Sequence, residues 1–65
     1  MQLIINGESR DVADGTVREL LLALGIDPTR VAVELNRDIL PKAEYGNKVL
    51  QDGDVVEIVQ FVGGG

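Results

Sequence analysis

The chain contains no cysteine and no histidine. The first absence excludes disulfides, zinc–thiolate sites and any thiol chemistry of its own. The second removes the commonest general base and metal ligand at neutral pH. Tryptophan is also missing, and phenylalanine and tyrosine occur once each, so Phe61 and Tyr45 are the only rings available to a core or an interface. Positive charge is scarce: six Lys or Arg stand against eleven Asp or Glu, a formal net charge of −5. Nucleic acid needs a basic face and is not an expected partner. An acidic surface suits either solubility or steering onto a basic partner. No apolar run approaches the roughly 20 residues that span a membrane. Met1 to Asn6 lack the basic region and long apolar stretch of a secretion signal. A cytoplasmic chain with no membrane contact, no metal and no bound cofactor is therefore expected.

What is present fits one small domain. Sixty-five residues lie near the lower limit for folding without staples. Apolar Leu3 and Ile5 precede Asn6-Gly7, the strongest short hairpin signal. A two-residue loop there sets Ile5 opposite Glu8, Leu3 opposite Arg10 and Met1 opposite Val12. The polar second strand, Glu8 to Val12, reads as a sheet edge. After Asp14-Gly15, Thr16 and Glu19 form a capping box. Val17, Leu20, Leu21 and Leu24 then follow at i, i+3, i+4 and i+7 as a helical stripe, and Gly25 suits the left-handed position after the last turn. Two helical turns do not persist alone, so this helix must lie on a sheet.

Asp27-Pro28 reads as a loop, because proline pushes the residue before it out of the helical region. Val31 to Asn36 alternates as a third strand with Val31, Val33 and Leu35 on one face. Asn36-Arg37-Asp38 is a turn, and Ile39-Leu40 a short fourth strand stopped by Pro41. Within residues 42 to 50, Tyr45, Val49 and Leu50 are expected to seat a single helical turn against the core. After the Asp52-Gly53-Asp54 turn, Val55 to Val62 is the last strand, with Val56 and Ile58 alternating against Glu57. Placing the two most apolar strands, the first and the last, at the centre gives an α+β chain of the β-grasp architecture. A mixed sheet of four or five strands packs on one helix. Residues 1–62 form the domain and residues 63–65 a flexible glycine tail.

That tail is the feature the body is expected to present. Glycine orders at the highest entropic cost, and three in succession, Gly63-Gly64-Gly65, neither cap a helix nor pack. Without Cβ atoms they can thread a narrow channel, reaching about 10 Å past Val62 when extended. The carboxylate of Gly65 would then stand open to chemistry in another protein's active site. A frayed end or a linker to a further domain would read the same way, and the body before the tail decides between them.

The body resembles the ubiquitin-like sulfur carriers, and among them the ThiS family of thiamine biosynthesis. The resemblance covers the whole chain. It rests on Asn6-Gly7, Thr16-Val17-Arg18-Glu19-Leu20-Leu21, Val31-Ala32-Val33-Glu34-Leu35-Asn36, Ile39-Leu40-Pro41-Lys42, Asp52-Gly53-Asp54 and Gly64-Gly65, in this order. It implies a co-substrate whose carboxylate at Gly65 is adenylated by an E1-like, ThiF-type enzyme that consumes ATP. Sulfur from a donor such as a cysteine desulfurase then converts it to a thiocarboxylate. A ThiG-type thiazole synthase is the acceptor. The small sulfur-carrier subunit of molybdopterin synthase has the same Gly-Gly ending. Its chains tend to carry prolines before the tail, where Val59-Gln60-Phe61-Val62 stands here. A ubiquitin-like modifier or a pure interaction module is the third reading.

Partner recognition can also be read from the strands. If Val56 and Ile58 point into the core, the period of two throws Val59 and Phe61 to the other face. With Leu3 and Ile5 inward, Ile4 joins that face. Ile4, Val59 and Phe61 are thus expected to form one apolar patch on the helix-free side, with Phe61 as an interface anchor. The alternative folds Phe61 over the core edge as a lid.

Overall fold

The computed structural model describes residues 1–61; Val62 and the glycine run, with the expectations that fall on them, lie outside the described residues. Five strands form one sheet: β1 (Gln2–Ile5), β2 (Glu8–Asp11), β3 (Val31–Leu35), β4 (Asp38–Leu40) and β5 (Val55–Gln60), with one helix, α1 (Val17–Ala23), on one face. The strand order is β2-β1-β5-β3-β4. β1 and β5 run parallel, and every other pair is antiparallel. This is the β-grasp arrangement, with the last strand at the centre.

Local chemistry sets each piece. Asn6 and Gly7 take φ of 49° and 83°, the left-handed pair that matches the twist of a tight hairpin. The register follows as expected, with Leu3 opposite Arg10 and Ile5 opposite Glu8. The β3–β4 hairpin uses the same turn on a less suitable sequence, Asn36 at 51° and Arg37 at 72°. A side chain at left-handed φ costs roughly 1–2 kcal/mol, so Arg37 carries strain that Gly7 does not.

The start of α1 is held by a reciprocal cap. The Glu19 N–H donates to Thr16 Oγ1 at 3.2 Å, and the Thr16 N–H donates to Glu19 Oε1 at 2.8 Å. Its end closes around Gly25, whose N–H donates to the Leu22 carbonyl while the Ile26 N–H reaches the Leu21 carbonyl. That is the paired closure that glycine at positive φ permits. Val17, Leu20 and Leu21 are buried and Leu24 is half-buried, meeting Leu3, Ile5, Val31, Val33, Leu35, Val56 and Ile58 in one core. No described helix is long and apolar enough to cross a membrane.

Several segments differ from the sequence-based expectation, and Asp38, expected in the turn, already belongs to β4. Pro28–Arg30 is a 3-10 turn and not an open loop. Proline is pre-set for a first helical position, and Asp27 caps it by accepting from the Thr29 N–H at 2.9 Å and Oγ1 at 2.8 Å. Those bonds, the backbone one foremost, hold the Asp27 carboxyl below its ordinary range. Residues Lys42–Glu44 form the expected single turn, and Tyr45 and Leu50 are buried beneath it. Val49 is not: it pairs with Thr16 in an isolated bridge, and alternation along that extended stretch turns Val49 outward when Leu50 turns in. Finally, β5 stops at Gln60 and β2 at Asp11, although Val12 and Met1 still exchange bonds of 2.8 and 2.7 Å beside the hairpin.

Candidate functional site

β5 carries the chain toward the glycine run, and the structure grips its two ends differently. At the upstream end both edges are occupied. β1 pairs Ile4 with Val55 and Ile5 with Val56. On the other edge Asn36 Oδ1 accepts the Val55 N–H at 2.9 Å, while Asn36 Nδ2 donates to Asp54 Oδ1 at 3.0 Å. Downstream, β3 follows β5 all the way, from Leu35 opposite Val56 to Val31 opposite Gln60. The Phe61 N–H still donates to the Arg30 carbonyl at 3.0 Å.

β1 ends earlier, and a side chain continues for it. The Asn6 N–H makes the last backbone bond of this ladder, to the Val56 carbonyl at 2.9 Å, and at φ 49° the chain then turns into the hairpin. The Asn6 side-chain amide continues from there: Oδ1 accepts the Ile58 N–H at 2.7 Å and Nδ2 donates to the Ile58 carbonyl at 3.2 Å. Sequence reasoning assigned Asn6 to the turn alone. The choice of asparagine, with both a donor and an acceptor, where aspartate or glycine would also turn, is the signal that it does more.

The alternation along β5 is as expected. Val56 and Ile58 are buried, whereas Val59 and Phe61 are 61% and 56% exposed on the opposite face. Phe61 is therefore not folded over the core as a lid. The Lys42 ammonium stands 5.3 Å from its ring centroid while donating to the Thr29 carbonyl at 2.7 Å, a cation–π arrangement that holds one side of the ring. Arg30, in the turn before β3, pairs with Asp27 at 3.7 Å.

The expected three-residue patch is not continuous. Ile4 is exposed, but the parallel register sets it beside Val55. Val59 lies four residues further along β5, about 13 Å at strand rise, with the exposed side chain of Glu57 between them. Ile4 is therefore separate, and the residue opposite Val59 is Ala32 of β3. The reason is the offset between the strands: β1 enters the sheet at the start of β5 and leaves before its end. Gly63, Gly64 and Gly65 lie beyond the described residues. A shallow groove of about 240 Å³ at the β4 edge, lined by Leu35, Ile39, Leu40, Glu44 and Lys48 among others, includes neither Val59 nor Phe61. Among the described residues, no group of three or more Asp or Glu side chains is placed to hold a metal ion.

Known proteins share both the sequence and the fold. The ThiS family model matches residues 3–65. A thiazole synthase of Paramagnetospirillum magneticum is 52% identical over the full chain, which spans only 20% of that protein's length. The sulfur carrier protein ThiS of Thermus thermophilus is 39% identical, covering 94% of this chain and 95% of that one. The crystal structure of the thiamine biosynthesis protein ThiS of Geobacter metallireducens superposes with a TM-score of 0.85 at 38% identity, with full coverage of both chains. A family model that spans nearly the whole chain, full-length relatives and a matching solved fold agree: this chain belongs to the ThiS family.

Proposed function

We propose that the protein is a sulfur carrier for thiazole formation in thiamine biosynthesis, acting as a co-substrate through the carboxylate of Gly65. The observation that carries the reading is the placement of β5. The strand leading to Gly63-Gly64-Gly65 is the central one, fixed by β3 up to Phe61, in a chain that has no thiol or imidazole of its own. Such a body supplies rigidity and the partners supply catalytic groups. An α-carboxylate has a pKa of roughly 3.5 and is ionised at neutral pH, which makes it a poor electrophile. A carboxylate oxygen attacks the α-phosphorus of ATP and pyrophosphate leaves, giving an acyl adenylate. Sulfur at the sulfide oxidation level then attacks the carbonyl carbon, AMP leaves, and a thiocarboxylate remains.

The partners in this reading are an E1-like, ThiF-type adenylating enzyme, a sulfur donor such as a cysteine desulfurase, and a ThiG-type thiazole synthase. The occurrence of a region like this chain within a thiazole synthase supports the last. Val59 and Phe61 form the docking surface, and ATP is consumed by the enzyme and not held by this chain. Incubation with a ThiF-type enzyme, ATP and sulfide tests the proposal by intact mass. The expected product gains the mass difference of one oxygen replaced by sulfur, and deleting Gly65 abolishes that gain with the fold intact. Sulfuration that survives the deletion would sink the assignment of the reactive carboxylate.

A further inference from the structure

We propose that the open edge of β5 at Gln60 is a strand-pairing site for an extended segment of the adenylating enzyme, so that recognition of the tail begins as a backbone ladder inside the folded domain. This deepens the sulfur-carrier reading and rests on it.

The geometry follows from the alternation of hydrogen bonds. On the β3 side the bonded positions are Val55, which accepts from the Asn36 N–H, and Phe61, which donates to the Arg30 carbonyl. The same parity assigns Glu57 and Val59 to that edge, because bonded pairs recur every second residue. Val56, Ile58 and Gln60 therefore direct their N–H and C=O groups to the β1 side. Val56 accepts from the Asn6 N–H at 2.9 Å, and Ile58 is bonded at both groups by the Asn6 amide. Gln60 comes next, exposed, with no bonding partner for either group among the described residues.

Such an edge is a template for strand addition. No proline or charged side chain stands at residue 60 to block it. The occupant follows from the sequence beyond. Gly63-Gly64-Gly65 has no side chains, so a protein that selects it must read backbone amides. A segment already paired at Gln60 would continue in register toward them. The pairing site and the exposed ring of Phe61 lie at the same end of β5, so one partner can engage both. Asn6 sets where the ladder opens: it closes the edge through Ile58 and leaves it free one step later.

Gln60→Pro separates this pairing from the fold. Proline removes the N–H, and at residue 60 that N–H makes no bond to β3, so an edge position tolerates it. The expected result is an unfolding midpoint like that of the wild type with binding to a ThiF-type enzyme weakened at least tenfold, while Gln60→Ala, which keeps the N–H, binds as wild type. In the wild-type protein, residue-resolved hydrogen exchange should slow at the Gln60 amide at least tenfold when the enzyme is added. That measurement decides the matter even where the proline variant fails to fold. Wild-type binding by a folded Gln60→Pro, or unchanged exchange at Gln60 in the complex, overturns the proposal. Protection that appears without enzyme and grows with protein concentration assigns the edge to a second copy and overturns it too. Failure of the enzyme to adenylate the wild type removes the sulfur-carrier reading itself. Adenylation without protection at Gln60 removes only the ladder.

Discussion

The helix-covered face of the sheet holds Leu3, Ile5, Val33, Leu35, Val56 and Ile58, none more than 9% exposed, whereas the other face leaves Ile4, Val59 and Phe61 between 40% and 61% exposed. The same strands supply both sets, residue by residue, because side chains alternate across a pleated sheet. On the covered side, branched aliphatics interlock with Val17, Leu20 and Leu21 of α1, and each carries part of the stability. On the open side the apolar groups support nothing beneath them, so their removal should be felt only by a partner. The comparison teaches that stability and recognition are separable in this domain although they are interleaved in sequence.

The largest effect expected is on the covered side. Leu21 is fully buried, and Leu21→Ala should cost about 2–5 kcal/mol. A chain of this length has a total of roughly 3–10 kcal/mol to lose. Urea unfolding should show a variant largely unfolded or close to it; a midpoint near that of the wild type would break the division between the faces. Next comes the open side. Phe61→Ala should keep the wild-type unfolding curve and weaken binding to a ThiF-type enzyme by about 2 kcal/mol. Ile4→Ser serves as its counterpart, with binding close to wild type because Ile4 lies apart from Val59 and Phe61. Equal losses for both variants, measured by calorimetry, would restore the single patch that the strand offset argues against.

The smallest effect sharpens the boundary of the core. Tyr45 is buried and its hydroxyl donates to the Val31 carbonyl at 3.1 Å. Burial pushes its phenol above the ordinary value of 10.0, so the folded state holds that proton more tightly than the unfolded chain. The stability from this group is complete below pH about 10 and is lost as pH rises through the folded-state value. Tyr45→Phe should cost about 1 kcal/mol at neutral pH and remove this alkaline loss. Parallel pH dependences of the two midpoints above pH 10 would place the ring outside the core.

Most of the covered face was legible from residue order alone. Asn6-Gly7 fixed the first register, Thr16 with Glu19 marked the helix start, and the period of two assigned Val31, Val33, Leu35, Val56 and Ile58 to the core. What escaped were features that depend on pairs distant in sequence. Ile4 beside Val55 and Asn6 beside Ile58 are contacts across about fifty residues, and no local pattern reports the offset at which a parallel strand docks. Val49 was misplaced because its face is decided by a single bridge to Thr16. For the candidate site, the exposure of Phe61 and Val59 was readable by alternation, but the role of Asn6 as the last rung beside β5 was not.

The central position of β5 also governs when the protein can exist during its synthesis. Before residues 55–60 are made, the chain holds only the β1–β2 hairpin, α1 and the β3–β4 hairpin, and isolated two-stranded hairpins are marginal in water. The strand that joins them is the last of the five described strands to be made, and it closes contacts between distant parts of the chain, which are slow to form. A chain that stops short of β5 therefore has no sheet to fold, and proteolysis would clear it. Folding acts as a completeness check: every molecule with an intact core has already received the strand that leads to the glycines.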